Sequence, residues 1–133
     1  MTETRGGAGA SHDETRVLIV DDQADIRLLV RTLITAANRE LRVAGEAASG
    51  EEALRWLETD TATVVVLDHT MPGMTGIETA RRMRLTHPAL RILLFTAYLS
   101  PDVRRDAESA GVTYCLGKEQ VVDIAAAVRL VAA

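Results

Sequence analysis

Aromatic residues and cysteine are scarce in this chain of 133 residues. Phenylalanine, tyrosine and tryptophan together make up 3% of it, so its core must be aliphatic. A single cysteine cannot form an internal disulfide, which is typical of a reducing compartment. No apolar run approaches the ~20 residues that a membrane helix needs, and no signal-peptide pattern opens the sequence. These absences predict a soluble, cytoplasmic protein that makes no membrane contact.

Lysine is the scarcest charged residue, because fourteen of the fifteen positive charges are arginines and only Lys118 is a lysine. Nineteen acidic residues outweigh them and give a formal net charge of −4. This acidic balance argues against a broadly basic surface, so we expect no direct binding to nucleic acid. The position of the lone lysine in the fold therefore becomes informative.

The chain is predicted to form one domain behind a short tail. Residues 1–15 contain no large aliphatic side chain after Met1, and such a segment buries too little apolar surface to order itself. We therefore expect a disordered N-terminal tail over 1–15 and a single domain over 16–133, a typical domain length.

Short apolar runs alternate with helical patterns along this domain. Runs at 17–20, 64–68 and 92–95 are typical of parallel strands buried on both faces, and 41–47 and 112–116 are weaker strand candidates. The first helical stretch places one set of apolar side chains on a single face: Ile26, Leu29, Val30, Leu33 and Ile34.

Capping signals mark where the other helices begin. Ser49 and Thr75 each precede a glutamate by three residues, the pattern of a capping box, and Ser100 precedes Pro101 at a first helical position. A fifth helix is expected from about Val121. Five strands alternating with five helices predict an α/β fold of right-handed βαβ units around one doubly wound parallel sheet.

Polar residues follow several of the predicted strands, at the edge where open α/β sheets carry their functional crevice. Asp21 and Asp22 follow the first strand, Asp68 the third, Thr96 the fourth and Lys118 the fifth. Three carboxylates in one crevice need cations, because like charges oppose ionisation. Oxygen ligands without histidine or cysteine favour Mg²⁺, with Mn²⁺ as the alternative.

An aspartate beside a divalent cation and an ammonium group is suited to attack phosphorus and form an aspartyl phosphate. Asp68 is the best candidate nucleophile because it stands alone at the end of the most apolar strand. Lys118 would neutralise the phosphoryl oxygens and the Thr96 hydroxyl would donate to one of them.

Four motifs in this order resemble the receiver domain of bacterial two-component response regulators: VLIVDDQADIR, VVVLDHTMPGMTGIE, ILLFTAY and AGVTYCLGK. The resemblance covers Arg16 to Ala133 and is nearest to receivers that carry a helix-turn-helix DNA-binding domain behind them. It implies a flavodoxin-like five-stranded sheet of order 2-1-3-4-5 and a phosphoacceptor that is not a turnover enzyme.

The resemblance also implies a role for each residue of the crevice. Asp68 is similar to the phosphoacceptor. Asp22 is similar to the direct Mg²⁺ ligand and Asp21 to its partner acting through water, while the backbone carbonyl of Thr70 supplies a further ligand. Thr96 resembles the switch hydroxyl, and Lys118 would bind the phosphoryl group.

The implied partners are a sensor histidine kinase as phosphodonor and an unidentified downstream protein or phosphorelay partner. A second copy of this chain, forming a homodimer, is a further candidate. We expect a stand-alone receiver, although an excised part of a DNA-binding regulator is the competing interpretation.

Three positions depart from the family pattern: Cys115, His69 and Glu119, which follows the lysine where many receivers have proline. Cys115 stands where the switch aromatic is usual, and Tyr114 lies one residue earlier, on the opposite face of a strand. An alternative function is therefore a receiver-like interaction module whose output does not depend on phosphorylation. His69 replaces a usual apolar residue and is expected to be packed or hydrogen-bonded.

A metal-dependent phosphatase is disfavoured, because Thr70 stands where such an enzyme has its acid/base aspartate.

Overall fold

A five-stranded parallel sheet forms the centre of the computed structural model, which describes residues 14–37 and 40–133. The strands are β1 (Thr15–Val20), β2 (Leu41–Ala47), β3 (Val64–Leu67), β4 (Arg91–Thr96) and β5 (Tyr114–Gly117). Their spatial order is β2-β1-β3-β4-β5, with every neighbouring pair parallel. The predicted α/β class and strand order are therefore confirmed.

Strand boundaries differ from the expected ones at both ends of the chain. Residues 1–13 of the predicted tail lie outside the described residues, whereas Thr15, its last residue, already belongs to β1. The Thr15 amide donates to the carbonyl of Glu40 at 2.7 Å, which extends the pairing of β1. β5 covers 114–117 instead of the predicted 112–116.

In the part of the chain that the structure describes, five α-helices connect and follow the strands: α1 (Ala24–Ala37), α2 (Gly50–Thr59), α3 (Gly76–Thr86), α4 (Pro101–Ser109) and α5 (Ile124–Ala132). A 3₁₀ helix over Lys118–Asp123 precedes α5, so the expected helical start near Val121 falls in this tighter turn. Ser49, Thr75 and Ser100 cap α2, α3 and α4 as predicted, since each accepts a hydrogen bond from the third residue of its helix. The predicted capping box is complete at Thr75, whereas at Ser49 the Glu52 carboxylate accepts instead from the Ala48 amide.

The sheet is buried on both faces by two separate groups of helices. Val17, Ile19, Val64, Val66, Leu93, Phe95 and Leu116 pack beneath α1 and α5 on one face. Leu18, Val20, Val65, Leu67, Ile92 and Leu94 pack beneath α2, α3 and α4 on the other. This two-sided burial explains the continuous apolar runs of the central strands. The prediction was wrong for Leu29 of α1, which is 40% exposed instead of packed.

An irregularity in β2 reverses the facing of its last residues. Val17 of β1 pairs with Val43, but Leu18 pairs with Gly45, so one residue of β2 is left without a partner in the register. Because side chains alternate across a strand, one extra residue moves the following ones to the opposite face. Val43 accordingly packs with the α1 and α5 core, whereas Ala47 packs with the other core.

Arg84 of α3 joins two loops at the edge of the sheet opposite the strand carboxyl ends. Its Nη1 donates to the carbonyls of Pro88 and Leu90 at 2.8 and 2.6 Å, and its Nη2 donates to that of Gly111 at 2.6 Å. Gly111 has a φ of 88°, and a Cβ there would lie 2.7 Å from Arg84 Nε. The glycine thus permits both the turn and the close approach of the guanidinium.

We predict that Arg84→Met lowers the free energy of unfolding by about 1.5–3 kcal/mol, because partly buried carbonyls lose a charged donor. The exposed Arg81 on the same helix is the matched control. Arg81→Met should change the free energy of unfolding by less than about 0.5 kcal/mol. Urea unfolding of both variants measures the difference. Equal effects of the two substitutions would contradict a bridging role for Arg84.

Candidate functional site

Charged and hydroxyl side chains converge where β1, β3, β4 and β5 end. Asp21 follows β1, Asp68 follows β3, Thr96 ends β4 and Lys118 follows β5. One carboxylate oxygen from each of Asp21, Asp22 and Asp68 lies within 4.8 Å of the other two. The structure therefore brings together the residues that the sequence placed at this edge of the sheet.

Every polar atom of Asp21 contacts a partner. Its amide donates to the Ala47 carbonyl at 3.1 Å, and its carbonyl accepts from Arg27 Nη1 at 2.6 Å. Its Oδ1 accepts from the Gln23 amide at 2.9 Å, and its Oδ2 lies 2.7 Å from Lys118 Nζ. That last oxygen has the ammonium as an ion-pair partner without hydrogen-bond geometry. Asp21 is thus a buried, fixed carboxylate, while the neighbouring Asp22 is exposed.

Lys118 contacts two of the three carboxylates. Its Nζ lies 2.7 Å from Asp21 Oδ2 and 3.5 Å from Asp68 Oδ2, and its side chain is 16% exposed. The ammonium also lies 6.0 Å from the centre of the Phe95 ring, within reach of a cation–π attraction. The scarce lysine therefore supplies the positive charge on which two buried carboxylates depend.

Asp68 is held at the bottom of the crevice by backbone contacts. Its amide donates to the Val20 carbonyl at 2.9 Å. A Cβ on Gly76 would lie 2.1 Å from the Asp68 carbonyl oxygen, so only glycine lets the start of α3 approach this loop. Burial raises the pKa of Asp68 above its usual value and the Asp21 carboxylate adds to the rise, whereas Lys118 and the His69 amide act in the opposite direction.

A cleft of about 210 Å³ opens above Asp68, and its walls include Asp22, Thr70, Thr96, Tyr98 and Lys118. The hydroxyl of Thr96 is buried and has no hydrogen-bond partner among the residues that the structure describes. A buried hydroxyl without a partner at the wall of a polar cleft is a donor available to a ligand oxygen.

His69 and Cys115, two of the unusual residues of the sequence, both pack against the fold. Nδ1 of His69 accepts a hydrogen bond from the Ile77 amide at 3.4 Å, and burial lowers the pKa of this imidazole although Asp106 and Glu78 oppose the change. Cys115 packs against the core beneath α4, and burial raises the pKa of its thiol. Both environments agree with the predicted packing roles.

Neither tyrosine near the switch position is buried. Tyr114 precedes Cys115 in β5 and is 42% exposed, while Tyr98 is 82% exposed at the mouth of the cleft. Tyr114 lies on the face of β5 opposite to that of Cys115. Tyr98 lies in the connection between β4 and α4.

The donor set of the crevice fits a hard divalent cation. Asp21, Asp22 and Asp68 offer carboxylate oxygens only, and Lys118 balances one of their three negative charges. Oxygen ligands of this type suit Mg²⁺ and Mn²⁺ and not zinc, which prefers nitrogen and sulfur. Thr70, whose carbonyl was predicted as a further ligand, lines the same cleft.

Two residues that contact the site had no signal in the sequence. Arg27 binds the Asp21 carbonyl from α1, and the Gln23 amide binds its carboxylate. Arg27 was inconspicuous among fourteen arginines, and a backbone amide carries no residue-type signal.

Comparison with known proteins identifies a family to which the sequence is similar. A family model described as the response regulator receiver domain matches residues 17–129. The chain is 37% identical over 102 residues to the transcriptional activator protein ExaE of Pseudomonas putida, covering 77% of this chain and 47% of that protein. It is 32% identical over 108 residues to the sporulation initiation phosphotransferase F of Bacillus subtilis, covering 81% and 85%.

Solved structures give the same result for the fold. The signal receiver domain of the response regulator NarL from Mycobacterium tuberculosis superposes with a TM-score of 0.83 at 30% identity, covering 90% of this chain and 96% of that one. The chain spans about half the length of several curated relatives, ExaE and the Escherichia coli response regulator UvrY among them. Within residues 14–37 and 40–133, no helix is long and apolar enough to cross a membrane.

We predict that Asp68→Asn raises the free energy of unfolding at neutral pH in the absence of divalent cations. Folding raises the pKa of Asp68, so its ionised form is disfavoured in the folded state. The free energy of unfolding of the wild type therefore falls as the pH rises from the ordinary pKa through the raised pKa of the folded state. The gain from asparagine should disappear below the ordinary aspartate value of 3.8, where Asp68 is protonated in both states. Chemical unfolding across this pH range measures it.

The exposed Asp123 provides the matched control, because Asp123→Asn removes the same charge from a solvated position. A destabilised Asp68→Asn protein at neutral pH would show that Lys118 outweighs the burial of Asp68.

Proposed function

Since the chain belongs to the receiver domain family of two-component response regulators, we propose that Asp68 is its phosphoacceptor and that Asp21, Asp22 and Asp68 hold the Mg²⁺ that supports phosphoryl transfer. Receiver domains act as phosphoacceptors and signalling modules in exchange with histidine kinases or phosphotransferases. The proposal assigns this role to one named crevice of this chain.

The observation that carries the proposal is the joint placement of Asp68 and Lys118 beside a carboxylate pair. The Asp68 carboxylate faces a cleft, lies 3.5 Å from the ammonium and belongs to a cluster of three carboxylates within 4.8 Å. The proposed nucleophile, an ammonium group and a set of oxygens suited to a metal thus lie around the same cleft. Phosphoryl transfer needs positioning and charge neutralisation above all, and these groups supply both.

In the proposed step, a carboxylate oxygen of Asp68 forms a bond to the phosphorus of the donor. The bond from phosphorus to the donor nitrogen or oxygen breaks, and its electron pair leaves with the donor. Asp21, Asp22 and Asp68 would hold the Mg²⁺, which when bound would neutralise charge on the phosphoryl oxygens. Lys118 neutralises the same oxygens, and Asp21, which lies 2.7 Å from the ammonium, keeps it beside Asp68.

Thr96 links the phosphorylated site to the surface in this proposal. Its hydroxyl is buried without a hydrogen-bond partner among the described residues, so a phosphoryl oxygen entering the cleft would be its acceptor. The residues after Thr96 form the connection to α4 and carry the exposed Tyr98. A shift of this connection would change the affinity for a separate downstream protein, by biasing two conformations of one element.

We predict that incubation with Mg²⁺ and a small-molecule phosphodonor such as acetyl phosphate adds one phosphoryl group, and that Asp68→Asn abolishes the addition. Asp22→Asn should slow it by about tenfold or more, because the negative charge of a proposed cation ligand is lost. Intact-protein mass spectrometry measures both results, and chelation of Mg²⁺ should stop the reaction of the wild type.

Asp25, exposed at the start of α1, is the matched control, since Asp25→Asn removes a nearby charge outside the cluster. Phosphorylation that persists in Asp68→Asn would remove the assigned nucleophile. Phosphorylation without any change in structure or binding would favour a module whose output is independent of phosphate.

We predict that Lys118→Arg slows phosphoryl uptake by about tenfold despite the retained charge. The ammonium lies between two carboxylates and the Phe95 ring with little exposed surface, where a planar guanidinium is bulkier and prefers forked pairing with carboxylates. Lys118→Met should slow it by about a hundredfold, the usual effect of losing one charge-stabilising donor. Initial rates from phosphodonor titrations measure both, and wild-type rates in Lys118→Arg would contradict the argument.

A further inference from the structure

We infer that Arg27 is a positioning residue that sets the cation affinity of the acidic cluster by holding the peptide between Asp21 and Asp22, with Glu46 orienting Arg27. This inference rests on the proposed metal site and adds to it a residue outside the cluster. It follows from two contacts of one guanidinium, one to the site and one to β2.

The guanidinium of Arg27 bridges the site and the sheet. Its Nη1 donates to the Asp21 carbonyl at 2.6 Å and its Nε donates to Glu46 Oε1 at 3.2 Å, with 19% of the side chain exposed. The second carboxylate oxygen of Glu46 accepts from Arg31 Nε at 2.5 Å. Glu46 thus holds two arginines of α1, of which only Arg27 is seen to contact Asp21.

The carbonyl that Arg27 binds belongs to the peptide unit that joins Asp21 to Asp22. A peptide unit is planar, so a hydrogen bond to its oxygen also fixes the direction in which the chain enters Asp22. The amide of Asp21 is held independently by the Ala47 carbonyl at 3.1 Å. Arg27 therefore fixes the remaining freedom of the backbone from which the exposed Asp22 carboxylate extends.

The irregular register of β2 is what delivers Glu46 to α1. Val43 packs on the face covered by α1 and α5, and strict alternation would place Glu46 on the opposite face. The register shift before Gly45 reverses this facing, and Glu46 accordingly pairs with Arg27 and Arg31. Gly45 itself then lies beneath Trp56 of α2, where a Cβ would approach the indole nitrogen to 2.5 Å.

The loss of Arg27 has opposite expected effects on the affinity for a divalent cation, depending on whether its charge or its hydrogen bond matters more. Removing a positive charge near the cluster would strengthen the binding of a divalent cation by simple electrostatics. Removing the hydrogen bond would release the peptide between Asp21 and Asp22, and loss of such an outer contact weakens metal binding by about 10–100-fold. We expect the second effect to prevail, because Glu46 already offsets the guanidinium charge at 3.2 Å.

The test is Mg²⁺ titration of the unphosphorylated full chain by isothermal calorimetry, with no phosphodonor present. Arg27→Met should weaken Mg²⁺ binding by about tenfold or more. Arg31→Met removes an equal charge from the same Glu46 carboxylate without touching Asp21, so its affinity should stay within about twofold of the wild type.

Two gentler variants keep the inference testable if Arg27→Met does not fold. Arg27→Lys retains the charge but has no planar fork to bind both Asp21 and Glu46, so it should restore only part of the affinity. Glu46→Gln keeps the side-chain shape and should weaken Mg²⁺ binding less than Arg27→Met does. Thermal unfolding of every variant verifies that affinities are compared between folded proteins.

Each outcome decides a different point. Wild-type affinity in folded Arg27→Met or Arg27→Lys would overturn the inference and leave the proposed metal site intact. Equal changes in Arg27→Met and Arg31→Met would assign the effect to charge and would also overturn it. A wild-type chain that binds no Mg²⁺ would overturn the inference together with the metal site, whereas Asp68 phosphorylation would be judged separately by mass.

Discussion

The ion pair between Lys118 and Asp21 is the interaction on which the crevice depends. Three carboxylates meet within 4.8 Å, and a buried carboxylate is strongly destabilising without a partner. The ammonium, 2.7 Å from Asp21 and 3.5 Å from Asp68, balances one of the three charges. Burial raises the pKa of Asp68 and the Asp21 carboxylate adds to the rise, while the remaining negative charge makes the cluster electrostatically complementary to a divalent cation. The clustering of carboxylates therefore carries a cost in stability, which a bound cation would offset.

Such a cluster persists only because the surrounding fold is stable in its own right. The central strands are buried on both faces by aliphatic side chains, and the helices begin at side-chain caps that fix where each loop ends. Gly76 allows the start of α3 to lie against the Asp68 loop, and Arg84 joins the loops at the far edge of the sheet. Apolar burial and capping thus offset the unfavourable charge at the crevice.

Much of this arrangement could be predicted from the sequence, because it follows from patterns along one strand or one helix. Continuous apolar runs marked the buried strands, and parallel strands must end at the same edge, so Asp21, Asp68 and Thr96 had to lie near one another. The caps at Thr75 and Ser100 could also be predicted, because each involves residues only three apart in the sequence. Leu29 was misplaced, since its helical spacing put it at the margin of the packed face and tertiary contacts decided its exposure.

What escaped prediction has a common physical form, the hydrogen bond from an arginine to a distant backbone carbonyl. Arg27 and Arg84 act on carbonyls that any residue carries, so no residue-type pattern points to them. The register shift that turns Glu46 toward Arg27 is likewise set by pairing with β1. Fourteen arginines and one lysine are consequently not interchangeable charges. The guanidinium suits places where several acceptors surround a planar fork, and the compact ammonium of Lys118 suits a narrow cleft where it contacts two carboxylates.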